Sequence, residues 1–269
     1  VSLAFSNIAW PVEDDSAAFE VLVEAGYPGL EVAPTRIWDE PLEVPAAEVA
    51  AFRRTVERTG LRIVAMQSLL FRRPDLQVFG SAESRSALHD HLAGMARLAA
   101  GLGATRLVFG SPGNRKRGDI PMAEAMERAV EVFAPLAKEA EEVGVCFCIE
   151  ANPTAYGCDF LVNAVESTAF VRAVGSPGVR LHLDSACMAL GGDDAAERVR
   201  DGADVLAHVH ASAPQLGEVG PDTGVDHERL ATALREAGYA GSVSVEMRAQ
   251  EDPVAAVRRS SSYVKDVYA

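Results

Sequence analysis

Short apolar runs alternate along this chain with longer stretches in which apolar residues recur every three or four positions. These are the periods of a buried strand and of an amphipathic helix. The runs predict strands at Leu3–Ser6, Gly29–Ala33, Leu61–Gln67, Arg106–Gly110, Val145–Glu150, Val179–Asp184, Val205–His210 and Ser242–Glu246. The helical stretches carry their own start and stop signals. Asp14 or Asp15 can cap a helix bearing Phe19, Leu22 and Val23, which Gly26 closes; Pro45 opens another through Val49, Phe52 and Val56 to Gly60. A long helix follows Ser81, with Leu88, Leu92, Met95, Leu98 and Leu102 on one face before Gly103. Pro121 and Gly144 bracket the next, and Pro135 inside it predicts a kink or an earlier break. Phe160–Val174, Ala195–Asp201, Asp226 to Gly238 and Pro253 to about Val267 complete the set.

Strict strand–helix alternation implies parallel strands, and eight such units match a closed (β/α)8 barrel, an α/β fold, as one domain over residues 1–269. An open doubly wound sheet would want a glycine-rich phosphate loop after an early strand. Gly101-Leu-Gly103 sits at a helix end instead, which favours the barrel.

Parity along the strands then locates the chemistry. Phe147 and Ile149, Leu181 and Leu183, Val205 and Val209, and Val243 and Val245 share the outward phase, toward covering helices. In the opposite phase, at the last position of four successive strands, stand Glu150, Asp184, His210 and Glu246. Carboxylates that merely cap helices have no reason to fall on consecutive strands in one phase. Three carboxylates and an imidazole, at the strand ends where barrel active sites lie, form a metal-binding constellation. Oxygen-rich ligation with open positions suits one Mn²⁺, Mg²⁺ or Co²⁺ ion better than a structural zinc.

Composition narrows the partner. The chain has 269 residues, enough for a sizeable core, and no run approaching the ~18 apolar residues of a membrane span. No basic-then-apolar leader precedes the first strand, and Cys146, Cys148, Cys158 and Cys187 form no CxxC pair. Reduced thiols in a cytoplasmic enzyme are expected. A net charge of −14 repels phosphate backbones, which argues against nucleic acid and for a small-molecule substrate; a homo-oligomer is compatible with it.

The order Glu, Asp, His, Glu at these strand ends resembles the xylose-isomerase-like TIM barrels, which include sugar isomerases, ketose 3-epimerases, inosose dehydratases and endonuclease IV. The resemblance covers the whole chain. It extends to Ser6-Asn7, Gly29-Leu-Glu31, Gly224-Val-Asp226 and Gly238-Tyr-Ala-Gly241. It implies that Glu150, Asp184, His210 and Glu246 hold one metal, and that Glu150 and Glu246 also move protons on opposite faces of the substrate. Two positions depart from the epimerase pattern. Cys187 stands where a histidine is common, and Leu216 where an arginine is. The missing histidine, with so acidic a surface, weighs against a trinuclear zinc DNA-repair site; Cys187 itself reads as a small apolar filler.

Two loops on the same face are locally basic, Phe71–Arg73 and Asn114–Arg117. Against the acidic background they suggest an anionic substrate, with at least one of Arg72, Arg73, Arg115 and Arg117 in contact with it. Gln67, Trp10, Glu31, Asn152 and His182 are candidate substrate contacts at or near strand ends, while Met66, Phe109 and Phe71 read as core or pocket wall. The expected activity is that of a divalent-metal-dependent isomerase or epimerase of a small hydroxy-carbonyl compound, by proton transfer through a metal-bound enediolate. A sugar or cyclitol dehydratase is the alternative on the same site. An endonuclease-like hydrolase and a binding protein that has lost the chemistry stand further off.

Overall fold

Strands that must be covered outside by helices and packed inside against one another carry apolar residues on both faces. β5 (Cys146–Glu150) does so up to its last residue, whereas β6 (Val179–Asp184) is apolar only in its outward phase and turns Arg180, His182 and Asp184 inward. A computed structural model describes residues 1–269. In chain order it contains β1 (Ser2–Ser6), α1 (Asp15–Ala25), β2 (Gly29–Val32), α2 (Pro34–Ile37), α3 (Ala46–Arg58), β3 (Arg62–Met66), α4 (Ala82–Leu102), β4 (Arg106–Phe109) and α5 (Met122–Glu142). After β5 come α6 (Ala164–Val174), β6, α7 (Ser185–Gly191), α8 (Ala195–Gly202), β7 (Leu206–Ser212), α9 (His227–Glu236), β8 (Ser242–Glu246) and α10 (Pro253–Tyr268). The strands close in sequence order into a parallel barrel, with β1 paired to β8 through Leu3 and Val243.

The main core, 67 buried residues, centres on the layer between barrel and helices. Phe133 of α5 shows how it is filled: its ring stands edge-on to Phe109, Phe147 and Phe170. Phe147 therefore points outward, and its neighbours Cys146 and Cys148 fall into a separate small cluster with Ala207. All four cysteines are buried and free. No helix is long and apolar enough to cross a membrane.

Three elements differ from expectation. α5 runs through Pro135 without the earlier break that was one of the two expectations, because Ala125, Ala129, Phe133, Leu136, Ala137 and Ala140 bury one face on both sides of the proline. α6 starts at Ala164, where the Asn163 side chain accepts from the Glu166 amide, while Phe160 stays in the loop and packs edge-on against Phe79 and Phe170. β7 continues past His210 to Ser212.

Register, finally, sets the height of each strand end. Glu150 pairs with His182, Asp184 with His210, His210 with Ser244, and Ser212 with Glu246. Asp184 thus lies two residues beyond the partner of Glu150, and Glu246 two beyond the partner of His210. Strand tilt in a closed barrel compensates such a stagger, bringing the four groups onto one rim.

Candidate active site

Glu150, Asp184, His210 and Glu246 converge at the carboxyl ends of β5 to β8. His210 Nδ1 lies 3.3 Å from Glu246 Oε2, 3.7 Å from Asp184 Oδ2 and 4.0 Å from Glu150 Oε1. The side chains of the two glutamates keep 11% and 13% exposure, against 3% for Asp184 and none for His210. The glutamates face the opening, and Asp184 and His210 form the floor. His182, one layer deeper on β6, places Nε2 3.7 Å from Glu150 Oε1 and meets the His210 ring edge-on at 4.2 Å.

Each group is held by a neighbour. Glu31, fully buried on β2, lies 3.0 Å from His210 Nε2 and 3.0 Å from His208 Nε2. A carboxylate only accepts, so His210 Nε2 carries the hydrogen and Nδ1 is left to face the acids. Asp184 Oδ1 accepts from the Cys187 amide at 2.6 Å, capping α7, and Oδ2 accepts from Ser212 Oγ at 2.6 Å. Asn152 Nδ2 donates to Glu150 Oε2 at 2.9 Å. Gly110, just past β4, leaves the space that this oxygen occupies: a Cβ there would stand 2.1 Å from it.

Crowding of acids dominates the electrostatics. Burial, with Asp184 and Glu246 nearby, pushes Glu150 up to about 8, and burial raises Glu246 as well. Burial works against a charged His210, but Glu31 and Glu246 outweigh it and hold that imidazole well above its ordinary range. Glu31 is held well below its own range, since His210 and His208 overcome its desolvation. His182 is driven well down by burial and by its imidazole neighbours.

The donor set fits a divalent cation. His210 Nδ1 is buried with no hydrogen-bond partner, and three carboxylate oxygens surround it at 3.3 to 4.0 Å. Ligand atoms at about 2.0–2.2 Å from one ion are themselves roughly 3 Å apart. A cation would relieve the repulsion among the acids and use the lone pair that Glu31 directs toward them. His182 belongs to the cluster too: one nitrogen of it, oxygens of Glu150 and Asp184, and a His210 nitrogen all lie within 4.8 Å of one another.

The other sequence candidates separate by environment. Glu31, expected among substrate contacts, spends both oxygens on imidazoles beneath the site. Trp10 is packed in the wall, its indole donating to Asp15 Oδ1 at 2.8 Å. Gln67 is buried and donates to Ser6 Oγ. Arg73 pairs with Asp75, and Arg117 is spent on Asp159 and on the Ile120 carbonyl. Arg115, by contrast, is buried beside Asn152, donating from Nη2 to Asn152 Oδ1 at 2.9 Å and to the Glu150 carbonyl at 2.7 Å. Cys187 is buried, with Sγ 3.8 Å from Asn152 Nδ2. Sequence reasoning missed Ser212 and Gly110. Ser212 was findable, since the strand parity of His210 continues two residues further.

A closed (β/α)8 barrel with an acid-and-imidazole cluster on its carboxyl rim defines the class: a TIM-barrel protein with a site suited to a cation. The chain belongs to the xylose isomerase-like TIM barrel family, whose model matches residues 19–267. Among curated proteins it is similar to the L-ribulose 3-epimerase of Mesorhizobium japonicum, 26% identical over 141 residues, covering 52% of this chain and 47% of that protein. It is also similar to the D-psicose 3-epimerase of Ruminiclostridium cellulolyticum, 32% identical over 133 residues, covering 49% and 42%. The matched stretches thus span less than half the length of these relatives. Among solved structures, D-psicose 3-epimerase from Clostridium cellulolyticum with D-tagatose superposes with a TM-score of 0.82 at 17% identity, covering 100% of this chain and 99% of that one. The 3-keto-D-glucoside 4-epimerase of E. coli gives 0.79 at 18% identity, covering 99% of each chain.

Proposed function

We propose that this chain is a divalent-metal-dependent sugar epimerase or isomerase, acting as a single domain on a small hydroxy-carbonyl substrate. The observation that carries the reading is the unpartnered, buried Nδ1 of His210 among three carboxylates. The epimerase names of the relatives support it, as do the barrel and the position of the site. Glu150, Asp184, His210 and Glu246 would hold the ion, with Mn²⁺, Mg²⁺ or Co²⁺ preferred by an oxygen-rich set. Buried, free cysteines support a reducing, cytoplasmic setting.

Bound there, the ion would polarise the substrate carbonyl and acidify the adjacent C–H. The chain supplies the proton traffic. Glu150 and Glu246 stand on either side of Asp184 and His210 in barrel order, and both face the opening. One removes the proton from carbon, leaving an enediolate, and the other returns a proton to the opposite face. In the metal-free site burial raises the proton affinity of both glutamates; a bound cation would offset that and keep them ionised, as a general base must be. Asp184, with both oxygens already accepting hydrogen bonds, and His210, locked by Glu31, serve as fixed ligands.

Glu150→Gln and Glu246→Gln should each retain the metal and lose at least ~100-fold in turnover, the scale of a lost general base. Solvent deuterium should enter recovered substrate with the parent protein. A Gln variant that turns over at near-parental rate with metal bound would refute the two-glutamate mechanism. A deoxy-keto product would make the protein a dehydratase.

A further inference from the structure

The loop after β4 buries a cation that proton transfer does not require. Arg115 is 1% exposed and forms no ion pair with any acidic side chain. Nη2 uses its hydrogens on the Glu150 carbonyl and on Asn152 Oδ1, while Nε and Nη1 are buried with no acceptor. Burying a guanidinium without a counter-charge is costly, and so is leaving its donors unmet. Such an arrangement persists where something outside the fold supplies the missing acceptor.

The surroundings point to an anion. Asn152 links Arg115 to Glu150, accepting from the guanidinium at one end and donating to Oε2 at the other. The unmet donors therefore belong to a side chain joined to the proposed base by a single amide. The neighbouring basic loop is tied to this one: Asn114 Nδ2 donates to the carbonyls of Arg73 and Leu76, both at 2.7 Å. On these two loops Arg72 and Lys116 are exposed and pair with no carboxylate, whereas Arg73 and Arg117 are already occupied. A buried arginine with two donor nitrogens unmet, on a loop linked to its basic neighbour and carrying with it two exposed, unpaired cations on a chain of net charge −14, has the make-up of an oxyanion receptor.

We propose that the substrate carries an oxyanion, a carboxylate or a phosphate, which Arg115 receives on the β4–β5 side of the site. This rests on the sugar chemistry proposed for the same site. Because the guanidinium is covered, the anion must displace loop packing to reach it, so a sugar-linked group is the proper probe.

Calorimetry on the Mn²⁺-loaded protein with D-fructose, D-fructose 6-phosphate and 5-keto-D-gluconate tests the proposal without needing turnover. The parent should bind one of the charged sugars at least tenfold more tightly than D-fructose, and which one distinguishes phosphate from carboxylate. Arg115→Gln should bring that ratio to within twofold of one, and Arg115→Lys should keep part of it. Should Arg115→Gln fail to fold by circular dichroism, the lysine variant carries the test. A parent that prefers neither charged sugar would overturn the proposal. So would an Arg115→Gln variant that weakens all three sugars equally, which would make Arg115 a strut for Asn152. A charge preference without deuterium exchange into any sugar would sink the epimerase reading alone. Exchange into D-fructose without a charge preference would sink the oxyanion alone.

Discussion

Gly110 shows how little slack the site has at the scale of single residues. With a Cβ 2.1 Å from Glu150 Oε2, Gly110→Ala must swing that carboxylate away from Asn152 and from His210. The expected outcome is at least a tenfold loss of Mn²⁺ affinity by calorimetry with the secondary structure intact, the scale of a disturbed ligand; unchanged affinity would mean that Glu150 is no ligand. Protons and metal compete for the same groups. Without metal, Glu150 titrates at about 8 instead of its ordinary 4.5, raised by burial and then by Asp184 and Glu246. Between those values the folded chain holds a proton that the unfolded chain releases. The stability contributed by this group is therefore full below pH ~4.5 and lost as pH climbs to about 8. A divalent ion held by these groups would displace that proton, and the His210 proton with it, so metal stabilisation should grow over the same window. Melting curves with saturating Mn²⁺ should show a larger upward shift at pH 8 than at pH 6, and equal shifts would argue that the ion binds elsewhere. The four rim residues were legible at this scale. Their supports were not, because Glu31 and Gly110 act across strands that are distant in the chain.

The same limit holds for whole elements. Long helices were readable from spacing and punctuation, as Gly26 and Gly103 ending α1 and α4 in left-handed conformations attest. α7 was not, because it is seven residues long, follows β6 without a break, and takes as its cap the Asp184 carboxylate that also faces the site. The last two helices carry a prediction of their own. His227 Nδ1 of α9 and the Tyr268 hydroxyl of α10 share a buried hydrogen bond of 2.9 Å. Tyr268→Phe should cost about 1 kcal/mol in chemical denaturation. Burial lowers His227 to about 4 from an ordinary 6.5, so between those values the unfolded chain binds the extra proton. Stability should fall as pH drops through that window, by up to roughly 3 kcal/mol from this residue. His227→Gln should flatten that part of the pH profile, and an unchanged slope would assign it to other groups.

At the scale of the whole molecule, a net charge of −14 sits on a closed barrel whose rim concentrates three of the acids behind it. Self-repulsion of that size is screened over about 8–10 Å at physiological salt, so the metal-free protein should melt higher in moderate NaCl than in dilute buffer. A flat or falling melting temperature would mean that local ion pairs already compensate the charge. Sequence alone determined the fold class and the shared inward phase of Glu150, Asp184, His210 and Glu246, because strand periodicity fixes the face of each residue without knowledge of its neighbours. Those four then had to be brought level, and only barrel closure did that: Glu150 pairs with His182 and Glu246 with Ser212, a stagger that parity within a strand cannot express. Tertiary structure likewise decided that Glu31 locks a histidine, that Trp10 fills the wall, and that of four candidate arginines Arg115 alone is buried with donors unmet. Each of these depends on which distant strand or loop arrives alongside, and contacts of that kind are set by chain topology, not by local pattern.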